Sequence, residues 1–377
     1  MPFLLPLLLA VSPIQIDGLF QDWSDGTNHQ EDAKYLYTLV ELPNKACLQQ
    51  LPEQKVVELG EYTIFFSPNN KGHGVSCKKG DKWISPYEAG VIFAPTTAST
   101  KFEVRVHKLH QKCTTSFDFS KNADIRVVSW NVQFGALLKD KPRGVRLLKA
   151  LDPDVLLLQE LDGDDTNEQL NSFLEQTLGG TWFTCMSRVH GTERHHQLRS
   201  AVCINQRTKF TNNLAPFKAL YGASIFNNVP VNFFSLHMRC CGGPTGEAED
   251  QRQEEAKKIR NAIDTSTDQT WIVAGDWNLV GTTKPLKIVQ SNTLAIVDAF
   301  QPDGLLNATW SDTTSSFTPG RLDWMLYSPK TLEIVRSFVL DTSDLDIKTC
   351  VSHGILQEDT AKLSDHLPLV ADFNISQ

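Results

Sequence analysis

The sequence predicts a large α/β layered domain preceded by a smaller all-β region that reads as a sandwich. Three observations carry this. From Ile14 to about Phe119, short β-rich strings alternate with turn residues, and no amphipathic helix of useful length interrupts them. After the polar stretch "DFSKNAD" the texture changes to strands alternating with helices as far as the C-terminus. The length, 377 residues, exceeds that of a single small domain.

The first region, residues 14–119, contains "KYLYTLVEL", "YTIFFSPNN", "GVIFAPTT" and "KFEVRVHKL", each rich in β-branched or aromatic residues. Several short strands at such spacing favour a sandwich. Its opening string "IQIDGLFQDWSD", with Asp17, Gly18, Asp22 and Trp23, resembles the start of carbohydrate-binding family 9 or DOMON-like domains. That resemblance implies a carbohydrate or surface ligand, whereas Trp23 on its own reads as a core aromatic.

The second region, residues 124–377, runs strand "IRVVSWN", helix "KPRGVRLLKALD", strand "DVLLLQE", strands "AVCIN" and "VNFFSLH", and charged helix "EAEDQRQEEAKKIRNAID". Three further strands follow, in "TWIVAGDWN", "RLDWMLYSP" and "LPLVADF". No internal repeat is visible.

Composition narrows the class. Hydrophobic residues make up 41% and charged residues 21%, enough for a sizeable core without a disordered tract. A net charge of −8 argues against a protein that coats nucleic acid through a general positive field. The apolar N-terminus "MPFLLPLLLAVSPIQ" is too short to span a bilayer and resembles a secretory signal over residues 1–12, although it lacks a basic leader. Eight cysteines without a CxxC pair fit an oxidising compartment better than zinc binding. Three lie in the first third and five beyond it, so full oxidation would require a bridge between the regions. The expected location is therefore secreted or periplasmic. Oligomeric state is not legible.

The chemistry lies at the strand ends. "VVSWN" delivers Asn131, "VLLLQE" Glu160, "FFSLH" His237, and "WIVAGDWN" Asp276 and Asn278; "GRLDW" supplies Asp323 and "SDHLPL" supplies Asp365 and His366. Any one of these suits a turn. Apolar strands that repeatedly end in costly polar groups instead point to one convergent site. Carboxylate and amide oxygens suit Mg²⁺ or Mn²⁺, and two histidines suit proton transfer near neutral pH. These residue types fit metal-assisted hydrolysis of a phosphate ester.

In that order, "SWNVQ", "LLLQE", "SLH", "VAGDWN", "RLDW" and "SDHLPL" resemble the endonuclease/exonuclease/phosphatase, or DNase I-like, superfamily over roughly residues 124–377. The resemblance implies a four-layer α/β sandwich with an active site at one edge. It also implies Glu160 as principal metal ligand, assisted by Asn131 and Asp365. Asp276 and Asn278 would position the attacking water and the phosphate, Asp323 would orient and keep protonated His366, and His237 would act on the same phosphate.

Two departures matter. Where DNase-like members carry a carboxylate supporting the histidine, this chain has "ERHHQLRSAV", with Gln197 in place and Glu193 further back. Gln133 replaces the Asp of the exonuclease III branch, which weakens an abasic-site repair role. The loop "MSRVHGTERHHQLRS" offers Arg194 and Arg199 as phosphate-binding candidates. The sequence thus favours an exported phosphodiesterase acting on nucleic acid, ahead of a phospholipid or sugar phosphate hydrolase, and ahead of a binding protein with a relic catalytic region.

Overall fold

The computed structural model describes residues 14–376 except 17, 25, 44–47, 49–50, 68–74, 95–98, 109–113, 190–196, 206–208, 212–218, 244, 268, 305 and 316. In the N-terminal region eight strands form two four-stranded antiparallel sheets. One orders His29–Glu31, Tyr35–Glu41, Lys101–His107 and Ile92–Ala94; the other orders Lys55–Leu59, Tyr62–Phe66, Val75–Lys79 and Lys82–Ile84. Period-two alternation explains how they meet. Tyr62, Ile64 and Phe66 of one sheet are buried and share a core with Phe102, Val104 and Val106 of the other. Trp23 is a core aromatic, its indole donating to Glu103 at 2.9 Å.

The remaining chain builds two six-stranded sheets packed together, with helices on both outer faces. The first orders Phe183–Met186, Leu198–Ile204, Val155–Asp162, Ile125–Asn131, Leu369–Ile375 and Leu332–Val339. The second orders Lys209–Thr211, Ala219–Phe226, Val229–His237, Trp271–Asp276, Asp323–Tyr327 and Ala295–Ile296. Between the sheets, Val127, Leu157 and Val202 meet Phe233, Ile272 and Met325. The outer face of the first sheet is covered by helices Lys141–Leu151 and Asn167–Leu178, that of the second by Glu247–Thr265 and Lys284–Gln290. Covered on both faces, Ile125–Asn131 is buried at all seven positions, and its Arg126 is matched by a buried Asp372 at 2.6 Å.

The two regions are joined by contacts of different kinds. Ile16 pairs with Leu306, and Arg105 lies 3.6 Å from Asp303 in an almost fully buried ion pair. Tyr87 donates its hydroxyl to the carbonyl of Phe317 at 2.7 Å. No helix among the described residues is long and apolar enough to cross a membrane. No disulfide joins any two of the described cysteines Cys77, Cys185, Cys203, Cys240, Cys241 and Cys350. Cys47, Cys113 and residues 1–12 lie outside the described residues, so the expected signal and interdomain bridge fall there.

Candidate active site

Register explains how scattered strand ends become one site. In the second sheet His237 pairs with Asp276 across a parallel ladder, and Asp276 pairs with Asp323 across an antiparallel one. Three functional side chains therefore occupy one line across three strands. In the first sheet Asn131 stands beside Gln159, one residue before Glu160, and His366 precedes the strand that pairs with Ile125–Asn131. The two sheet ends then face each other.

Asp276 is the hub. Its Oδ2 accepts from the amides of Asn131 at 3.2 Å and Asn278 at 2.9 Å, and lies 3.5 Å and 3.8 Å from Nε2 of His237 and His366. Its Oδ1 accepts from the backbone N–H of Asn278. Burial pushes this carboxyl up to about 7; the nearby His366 opposes the rise, and Asp323 and Glu160 add to it. The group can thus hold or release a proton near neutral pH.

His366 is held from several sides. Its Nδ1 lies 2.7 Å from Oδ2 of the fully buried Asp323, its carbonyl accepts from the Trp130 indole, and its N–H donates to Ser364. Burial is the strongest influence and opposes the ring's charge, but Asp323 and Asp276 outweigh it and raise the imidazole to about 10. The ring therefore presents Nε2 as a charged donor beside Asp276. Asp323 itself is fixed by its backbone N–H to Thr309 Oγ1, while its Oδ1 is buried without a hydrogen-bond partner.

Glu160 owes its position to a break in the strand. The pairing with Leu198–Ile204 shifts between Leu158 and Leu161, and Glu160 takes φ +57°. Such a bulge re-aims a side chain. Here it brings Oε1 to 3.6 Å from Nε2 of His237. The carboxylates beside His237 are accordingly Glu160 and Asp276. Gln197 packs against Gly163, and Glu193 lies outside the described residues.

Glu160, His237 and Asp276 each place a ligand atom within 4.8 Å of the others, and Asp276, Asp323 and His366 do the same. Glu160, Asp276 and Asp365 line one cavity, together with His237, His366 and Asn278. Asp365 binds the indole of Trp310 at 3.0 Å and stands outside both ligand groups. Carboxylates gathered this closely, with oxygen as the prevailing donor, fit a hard divalent cation. Arg199 is not among the cavity-lining residues, and Arg194 lies outside the described residues. Trp310 and Thr309, which fix Asp365 and Asp323, were not singled out from "NATWSD"; a tryptophan inside a polar string was the available signal.

Two packed sheets under outer helices, with carboxylates, amides and two histidines gathered at one end, define a DNase I-like hydrolase. The chain belongs to the endonuclease/exonuclease/phosphatase family, whose model matches residues 128–366. No curated protein sequence matches it. Among solved structures it is similar to an endonuclease/exonuclease/phosphatase family protein from Leptotrichia buccalis, at 16% identity and TM-score 0.46, covering 66% of this chain and 99% of that one. It is also similar to a mannosyl-6-phosphatase from Bacteroides thetaiotaomicron, at 20% identity, TM-score 0.45 and coverage of 66% and 99%. A third is the 3′ phosphatase NExo from Neisseria bound to a product DNA hairpin, at 17% identity, TM-score 0.45 and the same coverage.

Proposed function

We propose that the chain is a divalent-metal-dependent phosphodiesterase, with residues 124–377 as its catalytic domain and 14–119 as a separate β-sandwich beside it. The observation that carries this reading is the position of Asp276, whose Oδ2 lies within 3.8 Å of both imidazoles and is fixed by two asparagine amides. One carboxylate set between two imidazoles suits proton transfer at phosphorus.

Glu160 would be the principal ligand of the cation, with Asn131 and Asp365 assisting, which leaves Asp276 to act on the water. When bound, such a cation would supply positive charge at the non-bridging phosphate oxygens. Asp276 takes a proton from the attacking water, which Asn278 helps to place. Charged His366 donates to a phosphate oxygen, where negative charge grows in the transition state. The water oxygen bonds to phosphorus, the bond to one ester oxygen breaks, and that oxygen leaves as an alcohol after taking a proton. His237 stands where it can deliver that proton. The product is a phosphomonoester.

Export, with residues 1–12 as a removable leader, belongs to the same reading, and N-terminal sequencing of the secreted chain tests it. The decisive experiment incubates the purified chain with plasmid DNA, RNA, sphingomyelin and phosphoinositides, each with Mg²⁺ and with EDTA. Hydrolysis of at least one diester that stops in EDTA is expected. Full activity in EDTA, or inertness toward every ester, would sink the proposal.

A further inference from the structure

The catalytic residues form only part of the lining of their cavity, which encloses about 500 Å³, within the usual range for a small-molecule site. Much of its remaining lining is apolar, and the N-terminal region contributes Leu48, Phe66, Val75 and Phe93 to it, with Phe317 from the loop after Trp310. Leu48, Phe66 and Val75 belong to the sandwich core, so this wall is the edge of a packed interior. Phe93 is half-buried, its ring edge-on to Phe66 and Phe102. Phe317 is 46% exposed.

Two features show that the wall is built in place. The Phe317 loop is gripped by the N-terminal region: the Tyr87 hydroxyl donates to the Phe317 carbonyl and accepts from the Asp312 N–H at 3.2 Å. The Ile16–Leu306 pairing and the Arg105–Asp303 ion pair hold the two regions together nearby. The polar complement is also informative. Apart from the two histidines of the site, Arg321 is the one cationic side chain among the described lining residues; its guanidinium stacks on Trp324 at 3.8 Å and donates to the Val297 carbonyl. A polynucleotide requires cations along successive phosphates, and a nucleobase requires polar partners at its edge. On the N-terminal wall Ser67 is the one polar side chain among the described lining residues.

From this we propose that the N-terminal sandwich completes the active site as an apolar subsite, and that the substrate is a phosphodiester carrying an aliphatic chain, which lies along Phe93 and Phe317 while its phosphate sits at Asp276 and His366. The inference rests on the phosphodiesterase reading and narrows its substrate class, turning it from nucleic acid toward lipophilic esters.

The test uses the full chain with Mg²⁺ and a series of alkyl p-nitrophenyl phosphodiesters, methyl to octyl, all kept monomeric. Each methylene that enters the subsite should raise kcat/KM about fourfold until the cavity is filled. Phe317→Ser and Phe93→Ser should each lower the octyl-to-methyl ratio of kcat/KM about tenfold, the loss expected for one apolar contact of this size. Phe317 is the safer variant because its ring is exposed, and its melting curve checks the fold. Turnover of phosphatidylcholine vesicles would place the chain on a membrane lipid, and turnover of monomers alone on a soluble ester; either supports the inference. Brisk turnover independent of chain length, or a dinucleotide preferred over the octyl ester, would overturn it while leaving the phosphodiesterase reading intact. Inertness toward every ester, methyl included, would defeat both.

Discussion

Replacing Asp323 by Asn tests whether His366 works as a cation. The exchange keeps volume and removes one buried charge, 2.7 Å from Nδ1 of the ring. In the parent the imidazole is raised to about 10 against an opposing burial effect. Without Asp323 that opposition meets only Asp276 and Asp365, and the ring's pKa should fall toward its ordinary 6.5. At pH 8.5 a group titrating near 10 is about 97% charged, and one titrating at 6.5 about 1% charged. The variant should therefore lose about 100-fold in kcat at pH 8.5 and less than about twofold at pH 6, through loss of the charged ring alone.

The assay is kcat for methyl p-nitrophenyl phosphate from pH 5.5 to 9 at saturating Mg²⁺. The variant's rate relative to the parent should fall about tenfold per pH unit above the ring's pKa. A loss of equal size at every pH would mean that Asp323 only orients the ring. Unchanged rates throughout would remove His366 from the chemistry.

Glu160→Gln should abolish activity at low Mg²⁺ and recover part of it at high Mg²⁺; a metal titration of kcat/KM checks this, and an unchanged half-saturating concentration would exclude Glu160 as a ligand. His237→Ala and His366→Ala should each lower kcat by about 10²–10⁴, and the double variant should lose much less than the product because both act on one transition state; full multiplicativity in single-turnover rates would contradict the shared step. Away from the site, Asp359 is buried and bonded by Arg146 at 2.8 Å. Burial alone would raise its pKa, but the bonds from Arg146 and the Leu356 N–H hold it below the ordinary value. Its contribution to stability is thus present above the unfolded value near 3.9 and lost as pH falls through the folded one. Asp359→Asn should cost about 3 kcal/mol at pH 7 and far less at pH 2, measured by urea unfolding at both; equal costs would assign the loss to packing.

What the sequence made legible was whatever depends on local period. Ile125–Asn131 was readable to the residue because the β-branched and aromatic Ile125, Val127, Val128 and Trp130 mark a strand that stops at a polar end. Leu332–Val339 was not, since it is an edge strand whose pairing shifts between Ile334 and Arg336. Helix Asn167–Leu178 was missed although the Thr166–Gln169 capping box that starts it stands in the sequence. The polar strand ends were visible one at a time. Their distances were not, because the register joining His237, Asp276 and Asp323 links strands far apart in the chain. The apolar wall was the least legible feature, being a product of docking between regions whose residues look locally like ordinary core.

One element of the site has no period to announce it, and it explains why Asn131 and Glu160 act together. Along Val155–Asp162 Gln159 turns toward the second sheet, donating to Ser235 Oγ at 2.9 Å, so regular alternation would turn Glu160 toward the outer helices. The bulge at φ +57° prevents that, at a backbone cost of about 1–3 kcal/mol that the surroundings must sustain. The surroundings are the loop that follows Asn131: the Val132 N–H donates to the Gln159 carbonyl at 2.9 Å, and the Gly135 N–H donates to the Glu160 carbonyl at 2.7 Å. Gly135 has φ +74°, and an added Cβ would stand 3.0 Å from the backbone nitrogen of Asp162. The same loop therefore ends the strand that delivers Asn131 and pins the distortion that delivers Glu160. Asn131 and Glu160 are thus positioned as one mechanical unit, and a change at Gly135 should disturb the Glu160 carboxylate without touching it.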